Sequence, residues 1–373
     1  MQPSEFDASH MARAIELAAR GEGFVEPNPM VGCTIVAGGE IIGEGFHRRF
    51  GGPHAEIEAL QSAGPRAQGA TVYVTLEPCC HQGKTPPCTQ ALIRAGVARV
   101  VVAQRDPFPQ VAGQGMAELK RAGIEVDLGL LEADAKELSA PYLKLVGAGR
   151  PWIIAKWAMT LDGKLATRAG DSRWISCEAS RQIVHQLRGR VDGVMIARGT
   201  AAADDPLLTA RPPGPRTAAR IVLDSKASLS STSQLAKTAR EVPVIVAVGE
   251  HSPASDRQRL TAAGCEVLVC SGRSQAERLD WLLDELGRRQ MTNLLVEGGS
   301  QLLGSLLDAR QIDEVHVFIA PKLIGGERAP SPIGGIGLDL MKNAFELVSP
   351  QIEQCGPDVY VHGRIRPGVA FGK

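Results

Sequence analysis

The residue types best suited to chemistry lie close together early in the chain. They are His54-Ala55-Glu56 and, after a gap, Glu77-Pro78-Cys79-Cys80-His81-Gln82-Gly83-Lys84-Thr85-Pro86-Pro87-Cys88. One imidazole and two thiolates make three ligands for Zn²⁺, and three protein ligands leave a fourth position at which water ionises near neutrality. Glu56 follows His54 by two residues, and neighbours so spaced at a helix start point to different sides. Glu56 is therefore placed to face that water rather than the metal. There it takes a proton and returns it to a substrate, which is general acid–base work. A structural zinc knot would want a fourth protein ligand and would have no use for Glu56.

His-x-Glu followed by Pro-Cys is the mark of zinc deaminases, which hydrolyse an amine from a heteroaromatic ring. Many such sites close with Cys-x-x-Cys, but position 82 is Gln, so Cys80 or Cys88 must serve. Adjacent cysteines rarely fit one tetrahedral site. A loop containing Gly83, Pro86 and Pro87 instead delivers Cys88 at the start of the next helix, whose N-terminus favours the thiolate. The expected ligands are thus His54, Cys79 and Cys88, with Glu56 as the proton carrier.

The chain of 373 residues, 44% of them hydrophobic, predicts two or three domains with buried cores. A formal net charge of +0, the lack of any long run of one sign and only 4% aromatic residues argue against nucleic-acid and membrane partners. A small-molecule substrate is expected. Eight cysteines are too few for a disulfide framework in a chain this long, and ligand thiolates need a reducing compartment, so the cytoplasm is the expected location. Met1 to Asp7 have neither the basic start nor the apolar core of a signal peptide, and no later segment approaches a membrane span.

The elements that must position these residues can be read from periodicity. Asp7 is expected to cap a helix presenting Met11, Ile15 and Ala18, and Val31–Ala37 with Glu40–Phe46 reads as a hairpin turned at Gly38-Gly39. A helix opens at His54, Thr71–Leu76 is a buried strand, and helices near 89–95 and 115–122 alternate with strands at 99–103 and 124–128. Leu145 to Pro151 breaks the pattern and reads as a linker. Beyond it, strands near 152–157, 193–197, 220–223, 242–248, 266–270, 293–296 and 315–319 alternate with helices near 178–190, 256–263, 276–290 and 301–308, which implies a largely parallel sheet. Phe345–Ser349 and Val359–Ile365 read as an antiparallel edge pair. Val296-Glu297-Gly298-Gly299-Ser300 joins a strand to a helix, where backbone N–H groups cradle phosphate oxygens, although glycine is also common at such turns for steric reasons. Thr160–Lys164, Ser172–Ile175 and Gly199–Thr209 are polar stretches after strands, where ligands gather in open α/β sheets. Arg188 and Arg211 are candidates to hold a phosphate.

Taken in order, Asn28-Pro29, His54-Ala55-Glu56, Thr75–Cys79, Gly83–Cys88, Leu161–Lys164, Asp204-Asp205-Pro206, Val296–Gly299 and Ala320–Gly326 resemble the bifunctional riboflavin-biosynthesis deaminase–reductases of bacteria along nearly the whole chain. The resemblance implies a cytidine-deaminase-like α/β/α domain with a mixed sheet over 1–146. It implies a dihydrofolate-reductase-like α/β domain with a largely parallel sheet over 151–367. The first would remove the ring amine of a phosphoribosylated pyrimidine, giving a uracil, and the second would use NADPH to reduce the attached ribose to ribityl. By the same resemblance His54, Cys79 and Cys88 bind Zn²⁺, Glu56 shuttles protons, and Asn28, His47, Lys84 and Thr85 contact the deaminase substrate. NADPH contacts fall on Ala158, Trp174, Thr200, Asp204, Ser225, Gly299, Ser300, Gln301, Leu302, Leu303, Gly304 and Ser305. Reductase substrate contacts fall on Ser172, Arg188, Leu208, Arg211 and Glu297. Members of this family are homo-oligomers, and Cys80 stands where they usually have Ser.

Overall fold

In the computed structural model, which describes residues 5–81 and 86–366, the Gly38-Gly39 hairpin forms one edge of a five-stranded sheet. Its strands are β1 (Gly32–Ala37), β2 (Glu40–Phe46), β3 (Thr71–Val74), β4 (Arg99–Val102) and β5 (Glu125–Leu128), in the order β2-β1-β3-β4-β5. β1 runs antiparallel to β2 and β3, whereas β3, β4 and β5 are parallel, so the sheet is mixed. Alternate residues of a strand face opposite sides. Cys33, Ile35, Val72, Val74, Val100 and Val102 accordingly pack on one face with α2 (Ala55–Ala63), α3 (Cys88–Ala95) and α4 (Gln114–Arg121). Val36, Tyr73 and Val101 pack on the other with α1 (Glu5–Ala19) and α5 (Glu132–Leu138). The result is the α/β/α layering expected.

Two local features differ from the sequence expectation. Asp7 does not cap α1, which already includes Glu5; its carboxylate instead accepts from Tyr73 Oη at 2.5 Å and Arg99 Nη1 at 3.0 Å, pinning the helix to β3 and β4. The segment read as a linker from Leu145 is helical as far as Ala148 in α6 (Ala140–Ala148), and Gly149 ends it in a left-handed conformation with φ 67°. A glycine inside a helix costs only about 1 kcal/mol relative to alanine, so Gly147 does not break it.

The chain divides into two compact units between Gly149 and Arg150. The second holds a nine-stranded sheet in the order β10-β9-β8-β7-β11-β6-β12-β14-β13. Its strands are β6 (Trp152–Thr160), β7 (Gly193–Ala197), β8 (Ala219–Leu223), β9 (Val244–Gly249), β10 (Glu266–Cys270), β11 (Asn293–Glu297), β12 (Glu314–Ala320), β13 (Leu347–Cys355) and β14 (Asp358–Ile365). The seven strands from β10 to β12 are parallel, and β14 and β13 add the antiparallel edge. Helices cover both faces: α11 (Gln275–Arg288) and α12 (Ser300–Asp308) pack on one, α7 (Glu178–Arg188) and α9 (Gln234–Lys237) on the other. Burial on both sides explains continuous apolar runs such as Val244–Val248. α8 (Arg198–Asp204) occupies part of a stretch read as loop, and α10 (Ala254–Ala262) completes the set. The chain leaves β6, skips one sheet position to β7, and later returns with β11 between them. This is a topological switch, and the carboxyl ends of β6, β7 and β11 open beside it. Among the described residues no helix is long and apolar enough to cross a membrane.

Candidate active sites

In the first unit, three elements deliver their chemistry to one point. His54 is the N-cap of α2, Cys79 lies just beyond β3, and Cys88 is the first residue of α3. His54 Nδ1 stands 3.5 Å from Cys79 Sγ and 3.3 Å from Cys88 Sγ, and the three ligand atoms lie within 4.8 Å of one another. With zinc–sulfur bonds of about 2.3 Å and zinc–nitrogen bonds of about 2.0–2.1 Å, a tetrahedral site places N and S about 3.6 Å apart, so the donors fit Zn²⁺. The Cys88 thiol, outweighing burial and aided by His54, holds Cys79 well below the ordinary thiol range, while Cys88 itself is pushed up. A thiolate favoured in this way is a ready ligand for a cation. Cys80 takes no part; its Sγ donates to Gln110 O at 3.8 Å.

Glu56 is 3% exposed at the first turn of α2, and burial raises the pKa of its carboxyl. That is the condition under which a carboxylate holds and releases a proton near neutral pH. Beside it, His47 Nδ1 donates to Pro53 O at 2.8 Å, which leaves Nε2 to accept from Asn28 Nδ2 at 3.1 Å. Burial keeps His47 neutral, and its ring stands edge-on to His54 with centroids 5.4 Å apart. Asn28 Oδ1 remains as an acceptor for a donor on a substrate ring. Lys84 and Thr85 lie outside the described residues.

The second unit has a cavity of about 500 Å³ lined by Lys156, Ala158, Ser172, Trp174, Arg188, Asp204, Leu208 and Arg211, among others. Arg188 grips Glu297 in a bidentate pair, Nε to Oε1 at 2.5 Å and Nη2 to Oε2 at 2.8 Å, with both side chains largely buried. Lys156 Nζ lies 3.9 Å from the same carboxylate. Burial lowers Lys156 despite Glu297; it also opposes ionisation of Glu297, but Arg188 overrides that and holds the carboxyl below its usual range. Arg188 therefore has two of its nitrogens committed to a carboxylate, which leaves the exposed Arg211 as the less encumbered basic group of the two. Trp174 is exposed under the guanidinium of Arg181, 4.7 Å from the ring centroid, and its carbonyl accepts from Lys322 at 2.5 Å.

Thr200 and Gly299 meet at the carboxyl ends of β7 and β11, where a Cβ on Gly299 would lie 3.4 Å from Thr200 Oγ1. Ser225 follows β8, the next strand outward. Within the stretch from Gly299 to Ser305 the residues do different jobs. Ser300 and Gln301 open α12, whereas Leu302 and Leu303 are buried in the core. Gly304 lets the helix backbone approach Gly334, since a Cβ there would come within 2.3 Å of it.

Residues 4–104 match the family described as the cytidine and deoxycytidylate deaminase zinc-binding region, and residues 151–361 match the RibD C-terminal domain. The riboflavin biosynthesis protein RibD of Actinobacillus pleuropneumoniae is 42% identical over 356 residues, covering 95% of this chain and 94% of that one. RibD of Escherichia coli is 39% identical over 369 residues, covering 95% and 98%. The chain belongs to the RibD family. It is a bifunctional deaminase and reductase of riboflavin biosynthesis. A solved structure of Acinetobacter baumannii RibD superposes with a TM-score of 0.85 at 37% identity, over 97% of this chain and 99% of that one. The Thermotoga maritima structure, titled a diaminohydroxyphosphoribosylaminopyrimidine deaminase and 5-amino-6-(5-phosphoribosylamino)uracil reductase, gives 0.82 at 36%, with 97% and 99% covered.

Two residues of this RibD chain escaped the sequence reading. Lys156 sits inside an apolar strand, and only the fold brings it to Glu297. Glu77 reads as part of the motif, but its carboxylate accepts from the backbone N–H groups of Gly113 at 2.9 Å and Met116 at 3.2 Å, locking the start of α4 against the Cys79 loop. A lone acidic residue before Pro-Cys was the only available sign.

Proposed function

We infer that the first unit of this RibD chain hydrolyses the ring amine of 2,5-diamino-6-(5-phosphoribosylamino)pyrimidin-4(3H)-one, with Zn²⁺ held by His54, Cys79 and Cys88. The single observation that carries this reading is the convergence of those three donor atoms beside the buried carboxyl of Glu56. When bound, Zn²⁺ supplies Lewis acidity that brings water to ionisation near neutral pH. Glu56 accepts one proton of the attacking water on a carboxylate oxygen and passes it to the ring nitrogen, then takes the remaining hydroxyl proton of the adduct and passes it to the amine, which leaves as ammonia as the carbonyl forms. Asn28, oriented by neutral His47, holds the ring, and Lys84 and Thr85 complete the substrate contacts.

The second unit reduces the ribosyl group of the resulting uracil to ribityl. NADPH supplies the hydride and the protein supplies alignment. The cofactor lies along Ala158, Trp174, Thr200, Asp204, Ser225 and the start of α12 from Gly299 to Ser305. The sugar phosphate meets Ser172, Leu208 and Arg211, with the Arg188–Glu297 pair beneath it. Lys156 Nζ, whose hold on its proton is weakened by burial and which lines the cavity, supports the reading that it protonates the sugar oxygen as the ring opens. The enzyme works in the cytoplasm, on a small molecule and as a homo-oligomer, without nucleic-acid or membrane partners.

The test is Glu56→Gln. Ammonia release from the diaminopyrimidine is expected to fall by about 10²- to 10⁴-fold, with zinc still bound and with NADPH oxidation on the uracil intermediate retained. Undiminished ammonia release would remove Glu56 from the mechanism.

A further inference from the structure

Arg220 is fully buried on β8, yet no carboxylate lies within ion-pair distance of it among the described residues. Its Nη1 donates to Leu207 O at 3.3 Å and Thr238 Oγ1 at 2.6 Å. Its Nη2 donates to Thr238 O at 3.0 Å and Val242 O at 2.5 Å. Nε has no partner. An interior guanidinium satisfied only by neutral oxygens carries a desolvation cost that an ion pair would offset, and burial draws its pKa below the usual value. Fold stability alone gives poor reason to keep such a charge, because an apolar side chain of similar volume is often as stabilising.

The carbonyl that Arg220 holds belongs to a segment with a task. Leu207 and Leu208 both line the reductase cavity. Their shared peptide is not among the cis bonds of the chain, and in a planar trans peptide the C=O and the following N–H point in opposite directions. A Leu207 carbonyl turned onto Arg220 therefore turns the Leu208 N–H away from it. That N–H has no hydrogen-bond partner among the described residues. Leu208 also has φ 57°, a left-handed conformation that a leucine keeps only when its surroundings impose it.

We propose that Arg220 is a positioning residue of the reductase, which fixes the Leu207–Leu208 peptide so that the Leu208 N–H faces the phosphate of the substrate. Its charge, which makes no direct ion pair and is only partly balanced at longer range by Glu241, adds a favourable field beneath the same dianion. The inference rests on the reading above that the segment from Leu208 to Arg211 receives the sugar phosphate.

The experiment measures kcat and KM for NADPH oxidation with the phosphorylated uracil intermediate and with its dephosphorylated analogue, in the wild type, Arg220→Met and Arg220→Lys. One aligned charge-assisted hydrogen bond corresponds to about 10- to 100-fold in binding. Arg220→Met is expected to lose about that factor in kcat/KM on the phosphorylated substrate, mainly through KM, and to lose little on the analogue. Arg220→Lys, which keeps the charge, recovers part of the loss. Equal losses on both substrates would mean a merely structural role and overturn the proposal. If Arg220→Met does not fold, the same substrate ratio in Arg220→Lys decides: a ratio reduced from the wild type supports the proposal, and an unchanged ratio overturns it. A wild type that does not distinguish the two substrates at all would instead refute the phosphate subsite itself, and the inference with it.

Discussion

Replacing Glu297 by Gln removes one charge and leaves two. In the native protein the carboxylate accepts both arms of Arg188 at 2.5 and 2.8 Å and stands 3.9 Å from Lys156, with its side chain 10% exposed. A glutamine keeps the shape but presents an NH₂ group to one guanidinium arm, so a donor faces a donor where a charge-assisted hydrogen bond stood. Breaking a buried pair by neutralising one partner costs about 3–5 kcal/mol, because the other charge stays in the interior uncompensated. For a unit of this size each kcal/mol corresponds to roughly 2–4 °C in melting temperature. The reductase transition should therefore fall by roughly 6–20 °C in differential scanning calorimetry, while the deaminase reaction at 20 °C or so is unchanged.

The pH dependence of that difference follows from the same contacts. Burial pushes the Glu297 carboxyl up, but Arg188 more than reverses this, so its folded-state pKa lies below the unfolded one of about 4.3. A depressed carboxyl contributes stability that is present above the unfolded pKa and lost as pH falls through the folded one. The gap between the wild type and Glu297→Gln should thus stay constant from about pH 8 to pH 5 and close only below about pH 4. A shift in melting temperature under about 2 °C, or a gap that closes near neutrality, would show that the pair is solvated and that its buried geometry is not what holds the site.

Other consequences are sharp enough to measure. Cys80→Ser should leave both zinc content and ammonia release at wild-type levels, since Cys80 Sγ faces Gln110 O and not His54, whereas Cys88→Ser should weaken zinc binding by more than about 100-fold. Elemental analysis after dialysis against a chelator separates the two outcomes. Gly115→Ala would put a methyl 2.1 Å from Pro78 O, directly before Cys79, and should cost about 1–3 kcal/mol in denaturant unfolding of the first unit together with a drop in deaminase kcat. Retention of both would show that α4 has room to shift without disturbing the metal ligands.

What could be read from the chain beforehand depended on how far apart the cooperating residues lie in sequence. His54 and Glu56 are held by one helix start, and Cys79 and Cys88 by one loop, so spacing and ligand chemistry alone specify how they meet. The strands and the mixed or parallel character of the two sheets were equally legible, because period-two alternation and continuous apolar runs are direct imprints of which faces are covered. Asp7 failed as a cap because the partners that claim its carboxylate, Tyr73 and Arg99, lie 66 and 92 residues away, and no local pattern carries that information. The reductase site is built in this second way throughout. Arg188 and Glu297 are 109 residues apart, and Lys156 joins them only because β11 returns between β6 and β7. Read singly, a lysine in an apolar strand and an arginine at a helix end look like ordinary half-solvated side chains. Once the sheet order is known, the switch point brings Lys156 and Arg188 to the one carboxylate of Glu297. The deaminase site could have been found in any chain carrying its motif, whereas the reductase site exists only because the crossover connections place its residues side by side.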